Sequence, residues 1–216
     1  MAVDFVGAAG SLANTVTIPA HQKGDCIVIA ALRTNNTSAS LPSGWIGVSS
    51  AGTNNLSMRL GFRIAQSDAE TSGTWTNATG LACVVFRPTV GTIAVPTDIQ
   101  STATSTTVTY GALTGVVAAN NYTDQSFAMF GSTLLDTNAI ETPPTGTTFL
   151  DKQSRTGLAF ASFRLTTNAF GNWTAQTVTL ASAVWRTSVV RIAEYPFPAF
   201  GGGGFRPVNI RGGADQ

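Results

Sequence analysis

Residues 72–80 read SGTWTNATG, and residues 170–178 read FGNWTAQTV. Both stretches contain Gly-x-Trp-Thr in a threonine- and asparagine-rich setting, so Trp75 in the first half of the 216-residue chain has a counterpart, Trp173, in the second half. A motif that occurs once in each half suggests two related modules. The segments on either side of each motif test that suggestion.

The flanking segments follow the same order in both halves. Each half runs from a threonine-rich segment through a buried apolar segment, a Pro-x-Gly turn and an aromatic-arginine strand to Gly-x-Trp-Thr and a closing strand. The matched pairs are TVTIP (15–19) with TVTYGAL (107–113), CIVIAALR (26–33) with SFAMFGS (126–132), MRLGFRIA (58–65) with GLAFASFRL (157–165), and LACVVF (81–86) with VWRTSVVRI (184–192). The sequence therefore predicts tandem pseudo-repeats of about 1–90 and 91–195.

The fold class follows from the periodicity of these segments. Turn residues recur every eight to fifteen positions, a pattern typical of β-sandwiches and barrels. The continuous apolar run 26–33 predicts a central strand covered on both faces, and 58–65 alternates as a half-buried strand does. A phase slip in 157–165 predicts a bulge near Ala161–Ser162, and 15–19 predicts a short edge strand ended by proline. We expect an all-β protein, an antiparallel, jelly-roll-like β-sandwich with a body at 1–195.

The last segment, 196–216, differs in composition from the body. It contains Pro196, Pro198 and Pro207, four consecutive glycines and isolated aromatic residues. Such a segment is ordered only when something outside it compensates for the lost conformational entropy. We expect a docking arm that binds a neighbouring subunit through Phe197, Phe200, Phe205, Arg206 and Arg211.

The charges and cysteines exclude several classes of protein. The net charge is +1, only 11% of residues are charged, and the arginines and lysines are scattered, so the basic stripe of a nucleic-acid-binding protein is missing. No apolar run is long enough for a membrane span, and the first ten residues lack the basic region of a signal peptide. Cys26 and Cys83 lie in apolar runs, which predicts buried, reduced thiols.

The sequence offers no constellation of catalytic residues. The single histidine, His21, lies in a predicted turn, and the nearest pair of acids, Asp68 and Glu70, lies in a predicted loop. Nucleophile-elbow and P-loop motifs are missing, as is a calcium loop, and two cysteines with one histidine do not make the usual zinc site. We expect no catalytic, cofactor-binding or metal-binding residues.

The tryptophans have two interpretations. Trp45 and Trp75 could stack on sugars, with threonine and asparagine as hydrogen-bonding partners. Alternatively, Trp75 and Trp173 fill equivalent corners of the core, an interpretation favoured by their matching places and by the contribution of aromatic burial to core stability.

The quoted motifs also resemble a known family. IPAHQKGD (18–25) and SGTWTNATG, together with LPSGW (41–45) and PPTG (143–146), resemble poorly characterised virion proteins of bacteriophages, often described as tail or minor structural proteins. The likeness covers roughly residues 3–193. It implies a protein of the virion, made in the host cytoplasm, whose partners are other virion proteins and copies of itself. The sequence thus predicts a non-enzymatic structural protein of a tailed phage, associated with the tail; the alternatives are a capsid decoration protein and a module that binds a host surface glycan.

Overall fold

The computed structural model describes residues 3–115, 124–135, 140, 142–166 and 171–196. These residues form eleven β-strands and no α-helix, so the expected all-β class is confirmed. The strands are β1 (Asp4–Ser11), β2 (Cys26–Arg33), β3 (Ile46–Thr53), β4 (Leu56–Ile64), β5 (Gly80–Arg87), β6 (Gly91–Ile93), β7 (Thr97–Tyr110), β8 (Asp124–Thr133), β9 (Thr147–Arg155), β10 (Leu158–Leu165) and β11 (Gln176–Pro196).

The strands form two antiparallel sheets. The first sheet has the order β1-β5-β2-β4-β3, and the second has the order β6-β11-β8-β10-β9, with β7 also paired to β11. Each sheet uses consecutive strands, whereas a jelly roll alternates its consecutive strands between two sheets. The expected jelly-roll-like connectivity is therefore wrong. Tight local connections keep neighbouring strands in one sheet, as where Asn54 and Asn55, both with positive φ, turn β3 into β4.

Three apolar clusters stabilise the sheets. The first takes side chains from both sheets, among them Val28, Val84, Phe130 and Phe160, and so lies between them. The other two cover the outer face of each sheet. Along β2, alternate residues enter the inner and the outer cluster, which explains why the whole run is apolar. The predicted central strand is confirmed, since β2 lies between β5 and β4.

The segment 15–19 is not a strand, so that prediction is wrong. Val16 and Ile18 are buried in the outer cluster of the first sheet, as strand-like alternation requires. None of the described strands pairs with the segment, however, and Val16 N–H bonds instead to the hydroxyl of Ser72, at 3.0 Å.

The irregularity predicted near Ala161–Ser162 has a different cause. The register between β9 and β10 does shift at Ser162–Phe163, but the extra residue, Leu150, belongs to β9. Strand β10 itself alternates regularly, with Phe160 in the inner cluster and Phe163 in the outer cluster. The apparent phase slip is therefore the pattern of a strand buried on both faces.

Two further predictions concern the thiols and the C-terminal segment. Cys26 and Cys83 are unpaired and fully buried, as expected, and burial raises the pKa of both thiols. The predicted arm residues Phe197, Phe200, Phe205, Arg206 and Arg211 lie outside the described residues, so their role remains a prediction.

At the edge where β1 meets β9, the carboxylate of Asp151 lies against the backbone of Gly10. Strand β1 contacts β9 there, and a side chain at Gly10 would collide with the carboxylate of Asp151. Among the described residues, Asp151 Oδ2 has no hydrogen-bond partner. Burial raises the pKa of the Asp151 carboxyl above its ordinary value of 3.8, and a hydrogen bond with Gln153 only partly opposes this.

We expect Asp151→Asn to stabilise the protein at neutral pH by up to about 1 kcal/mol, because the substitution removes a poorly solvated charge. A raised folded-state pKa means that ionisation costs stability as pH rises through that pKa. The gain should therefore be largest at neutral pH, shrink as pH falls through the raised pKa, and vanish below about pH 3.8, where the carboxyl is neutral in both states. Urea denaturation at several pH values measures this. The exposed Asp68→Asn is the matched control, and an equal gain at every pH would contradict the assignment.

The hydroxyl of Tyr110 is buried without a hydrogen-bond partner among the described residues. The ring packs edge-on against Phe163, with centroids 6.0 Å apart, and its hydroxyl points at Gly131.

Tyr110→Phe should raise the free energy of unfolding by about 1 kcal/mol, because it removes an unsatisfied polar atom and keeps the ring. Tyr110→Ala, which also removes the ring, should lower it by about 3–5 kcal/mol. Urea denaturation of both variants measures the two effects. A loss of stability in Tyr110→Phe would show that the hydroxyl has a partner after all.

Candidate functional site

A cleft of about 820 Å³ opens over the outer face of the first sheet. Its walls are the end of β1, at 9–11, the unpaired segment 15–18, and the loop 68–74, together with His21. The cleft thus brings together His21, Asp68 and Glu70, the three residues that the sequence offered as candidates for acid–base chemistry. Their contacts decide what the cleft can do.

Both ring nitrogens of His21 are engaged. Nδ1 lies 2.7 Å from the carbonyl oxygen of Pro19, and Nε2 accepts a hydrogen bond from the backbone N–H of Glu70, at 2.9 Å. Only the neutral Nδ1–H tautomer satisfies both contacts. His21 therefore joins the turn at 19–25 to the loop that carries Glu70.

The carboxylate of Glu70 is also committed to internal contacts. Oε1 accepts hydrogen bonds from the backbone N–H groups of Gln66, at 2.7 Å, and Ser67, at 3.2 Å. Oε2 pairs with Arg63 at 2.7 Å, and the Glu70 side chain is only 6% exposed. This carboxylate holds its own loop and anchors that loop to β4.

Asp68 is the exception among the three. It is exposed on the rim of the cleft, and no hydrogen bond or ion pair from another described residue reaches its carboxylate. Glycoside hydrolysis by paired carboxylates requires a second acid at a suitable distance, and the nearest acid, Glu70, is held by Arg63 and two backbone amides. The cleft consequently presents one free negative charge and a wall of threonine side chains.

Sequence reasoning missed a polar cluster at the end of the sheets where β2 begins. Asp25 is fully buried and accepts two hydrogen bonds from Arg87, at 2.8 and 2.7 Å, and one from Gln22 N–H, at 2.9 Å. The bidentate contact raises the pKa of the Arg87 guanidinium. In the second half, Asp124 is the first residue of β8 and accepts Val3 N–H at 2.9 Å. The available signal was an aspartate within two residues before each buried apolar segment, 26–33 and 126–132.

A second polar cluster lies at the edge formed by β3, β7 and β11. The Asp98 carboxylate accepts hydrogen bonds from the hydroxyls of Ser49, at 2.6 Å, and Ser188, at 3.0 Å. Burial raises the pKa of Asp98 despite these contacts. Nearby, Arg186 is 2% exposed and reaches the side-chain oxygen of Gln100 at 3.4 Å, and burial lowers the pKa of its guanidinium. These groups join strands of the two sheets.

Trp45 and Trp75 are both core residues. Trp75 is fully buried and donates its indole N–H to the carbonyl oxygen of Ser72, at 3.1 Å. Trp45 is 8% exposed and packs edge-on against Trp75, with ring centroids 5.3 Å apart. Neither ring can stack on a sugar without leaving the cluster, which argues against the glycan interpretation at these positions. Trp173 is buried in the outer cluster of the second sheet, as the structural interpretation predicts.

Within the described residues, no cluster of histidine, cysteine, aspartate and glutamate could hold a metal ion, and no helix of that part of the chain could cross a bilayer. Comparisons with protein-family models, with curated proteins and with solved structures find no match for this chain. The function therefore has to be inferred from the residues and their geometry.

The contacts in the cleft predict which substitutions matter for stability. Glu70→Ala should lower the free energy of unfolding by about 2 kcal/mol, because it leaves Arg63 and two backbone amides without their acceptor. Asp68→Ala, two residues away in the same cleft, should change it by less than about 0.5 kcal/mol. Urea denaturation measures both. Equal effects would contradict the structural role of Glu70.

Proposed function

We propose that this chain is a non-enzymatic structural protein of a tailed bacteriophage virion, associated with the tail, which assembles through its sheet surfaces and its C-terminal arm. The observation that carries the non-enzymatic part is the state of the cleft. His21 and Glu70 use their polar atoms to fix loops, so the described residues of the cleft offer no free acid–base pair. The resemblance of 18–25 and 72–80 to phage virion proteins supports the place in a virion.

We further propose that the body is a β-sandwich of two tandem copies of one module. In support, the strand order β1-β5-β2-β4-β3 corresponds to β7-β11-β8-β10-β9 when each strand is matched by its place in its own half. The contacts between sheets are consistent with a two-fold relation, since β1 contacts β9 while β3 contacts β7. A body of this kind is stabilised by a shared inner core, and it carries its binding groups on its outer surfaces.

The proposed assembly role predicts the effect of removing the arm. Deletion of 196–216 should leave a folded, soluble body, because the described core clusters contain no residue beyond Ala193. The truncated protein should fail to join phage particles assembled in the same host. Circular dichroism checks the fold, and mass spectrometry of purified particles counts the copies incorporated. Normal incorporation of the truncated protein would contradict the role of the arm.

The position in the virion is tested separately by immunogold electron microscopy of intact particles. Label at the tail supports the proposal. Label spread over the head would indicate the decoration-protein alternative, and unlabelled particles, with no copies detected by mass spectrometry, would exclude a virion protein.

A further inference from the structure

The segment Thr15–Ile18 has an unpaired backbone beside the cleft. Within the described residues, its one backbone hydrogen bond joins Val16 N–H to the Ser72 hydroxyl. Val16 and Ile18 point into the outer cluster, while Thr15 and Thr17 are exposed. Extended backbone with free N–H and C=O groups is the surface to which an added strand binds.

The matching segment of the second half has the partner that Thr15–Ile18 lacks. Thr107–Tyr110 is part of β7 and pairs in register with Gln176–Thr179 of β11. Its side chains behave in the same way, because Val108 and Tyr110 are buried in the outer cluster of the second sheet. The same four-residue pattern is therefore completed by a strand in one half and left open in the other.

The length of chain after each Gly-x-Trp-Thr tryptophan explains this difference. In the second half, residues 174–182 separate Trp173 from the main ladder of β11, which resumes at Ala183, and this stretch supplies the pairing strand. In the first half, only residues 76–79 separate Trp75 from β5. Those residues make a turn, with Asn77 at positive φ, so nothing remains to pair with Thr15–Ile18.

A hydrogen bond bounds the unpaired backbone of Thr15–Ile18 at each end. Near Thr15, the backbone N–H of Trp75 bonds to the carbonyl oxygen of Asn14 at 2.9 Å. Near Ile18, the Glu70 N–H bonds to His21 at 2.9 Å. Between these two contacts, loop 68–74 and segment 15–18 both line the cleft, and the Ser72 hydroxyl accepts Val16 N–H at 3.0 Å, a side-chain contact that an added strand would replace. The window is about four residues long, which matches the four-residue ladder of the second half.

We propose that this cleft binds the C-terminal segment 205–211 of a second copy of the chain as an added β-strand. The sequence of the segment is FRPVNIR, in which Val208 and Ile210 alternate with Asn209 and Arg211 as strand residues do, while Pro207, which has no N–H to donate, precedes the alternation. Arg206 and Arg211 flank this alternation, and the free carboxylate at the cleft is that of Asp68. Charge and periodicity therefore both match the cleft.

The topology favours a second copy over the same copy. The described chain ends with β11, which belongs to the second sheet, whereas the cleft lies over the outer face of the first sheet. An arm that binds a neighbour does not have to pass round its own body. The arm and the cleft are different surfaces, so the contact is heterologous, and repetition of it builds a ring or a filament. This inference rests on the proposed assembly role and gives that role a receptor site.

A disulfide-trapping experiment on the full-length chain tests the contact. In the double variant Thr17→Cys/Asn209→Cys, oxidation should give disulfide-linked dimers and larger multimers on a non-reducing gel. The matched control is Thr104→Cys/Asn209→Cys, which places the first thiol on an exposed position of β7 and should give at most a trace of linked species. A link within one chain, or a yield no higher than that of the control, would overturn the proposal.

A second measurement avoids introduced thiols. Val208→Asp/Ile210→Asp should shift the full-length chain from oligomer to monomer in sedimentation velocity, because the charged side chains do not fit a strand packed on the body. An unchanged distribution would overturn the proposal. The two proposals fail separately: a virion protein whose arm does not link to Thr17 refutes only the cleft contact, and a linked oligomer not found in virions refutes only the virion role.

Discussion

The structure depends on one constraint, that the central strand of each sheet is apolar on both faces. Strand β2 sends alternate side chains into the inner cluster and into the outer cluster of the first sheet, and β8 does the same in the second sheet. Stacking the two sheets buries only the inner faces. The outer faces must be covered by other parts of the chain, because a contiguous exposed apolar face of that size would favour aggregation.

The loops provide that cover. The side chains that could have been catalytic, His21 and Glu70, hold these loops in place. Trp75 lies over β4, where its ring approaches Gly61, and Trp45 packs against it. Glu70 and His21 hold the loop that carries Trp75. These two residues therefore contribute indirectly to burial of the outer cluster. A general acid or base needs a polar atom that is free to exchange a proton with a substrate. Here the corresponding atoms hold the cover in place.

The sequence predicted well those features that depend on periodicity. The apolar run 26–33, the alternation of 58–65 and the two buried thiols all follow from side-chain pattern alone. Prediction from the sequence failed where the structure of a segment depends on which other segment pairs with it. TVTIP has the pattern of a strand but no neighbour, and the bulge opposite Ser162 belongs to a different strand from the one predicted. Whether His21 meets Glu70, 49 residues away along the chain, is a property of the fold that no local pattern contains.

The difference between the two halves is therefore as informative as their likeness. Under the proposed duplication, the connection 76–79 after Trp75 is too short to supply the strand that 174–182 supplies after Trp173. Thr107–Tyr110 pairs with Gln176–Thr179, whereas Thr15–Ile18 pairs with no described strand. Hydrophobic burial fixes the sheets, while the length of a single connection determines whether the chain pairs its own backbone at this place or leaves it open to the second copy that we propose.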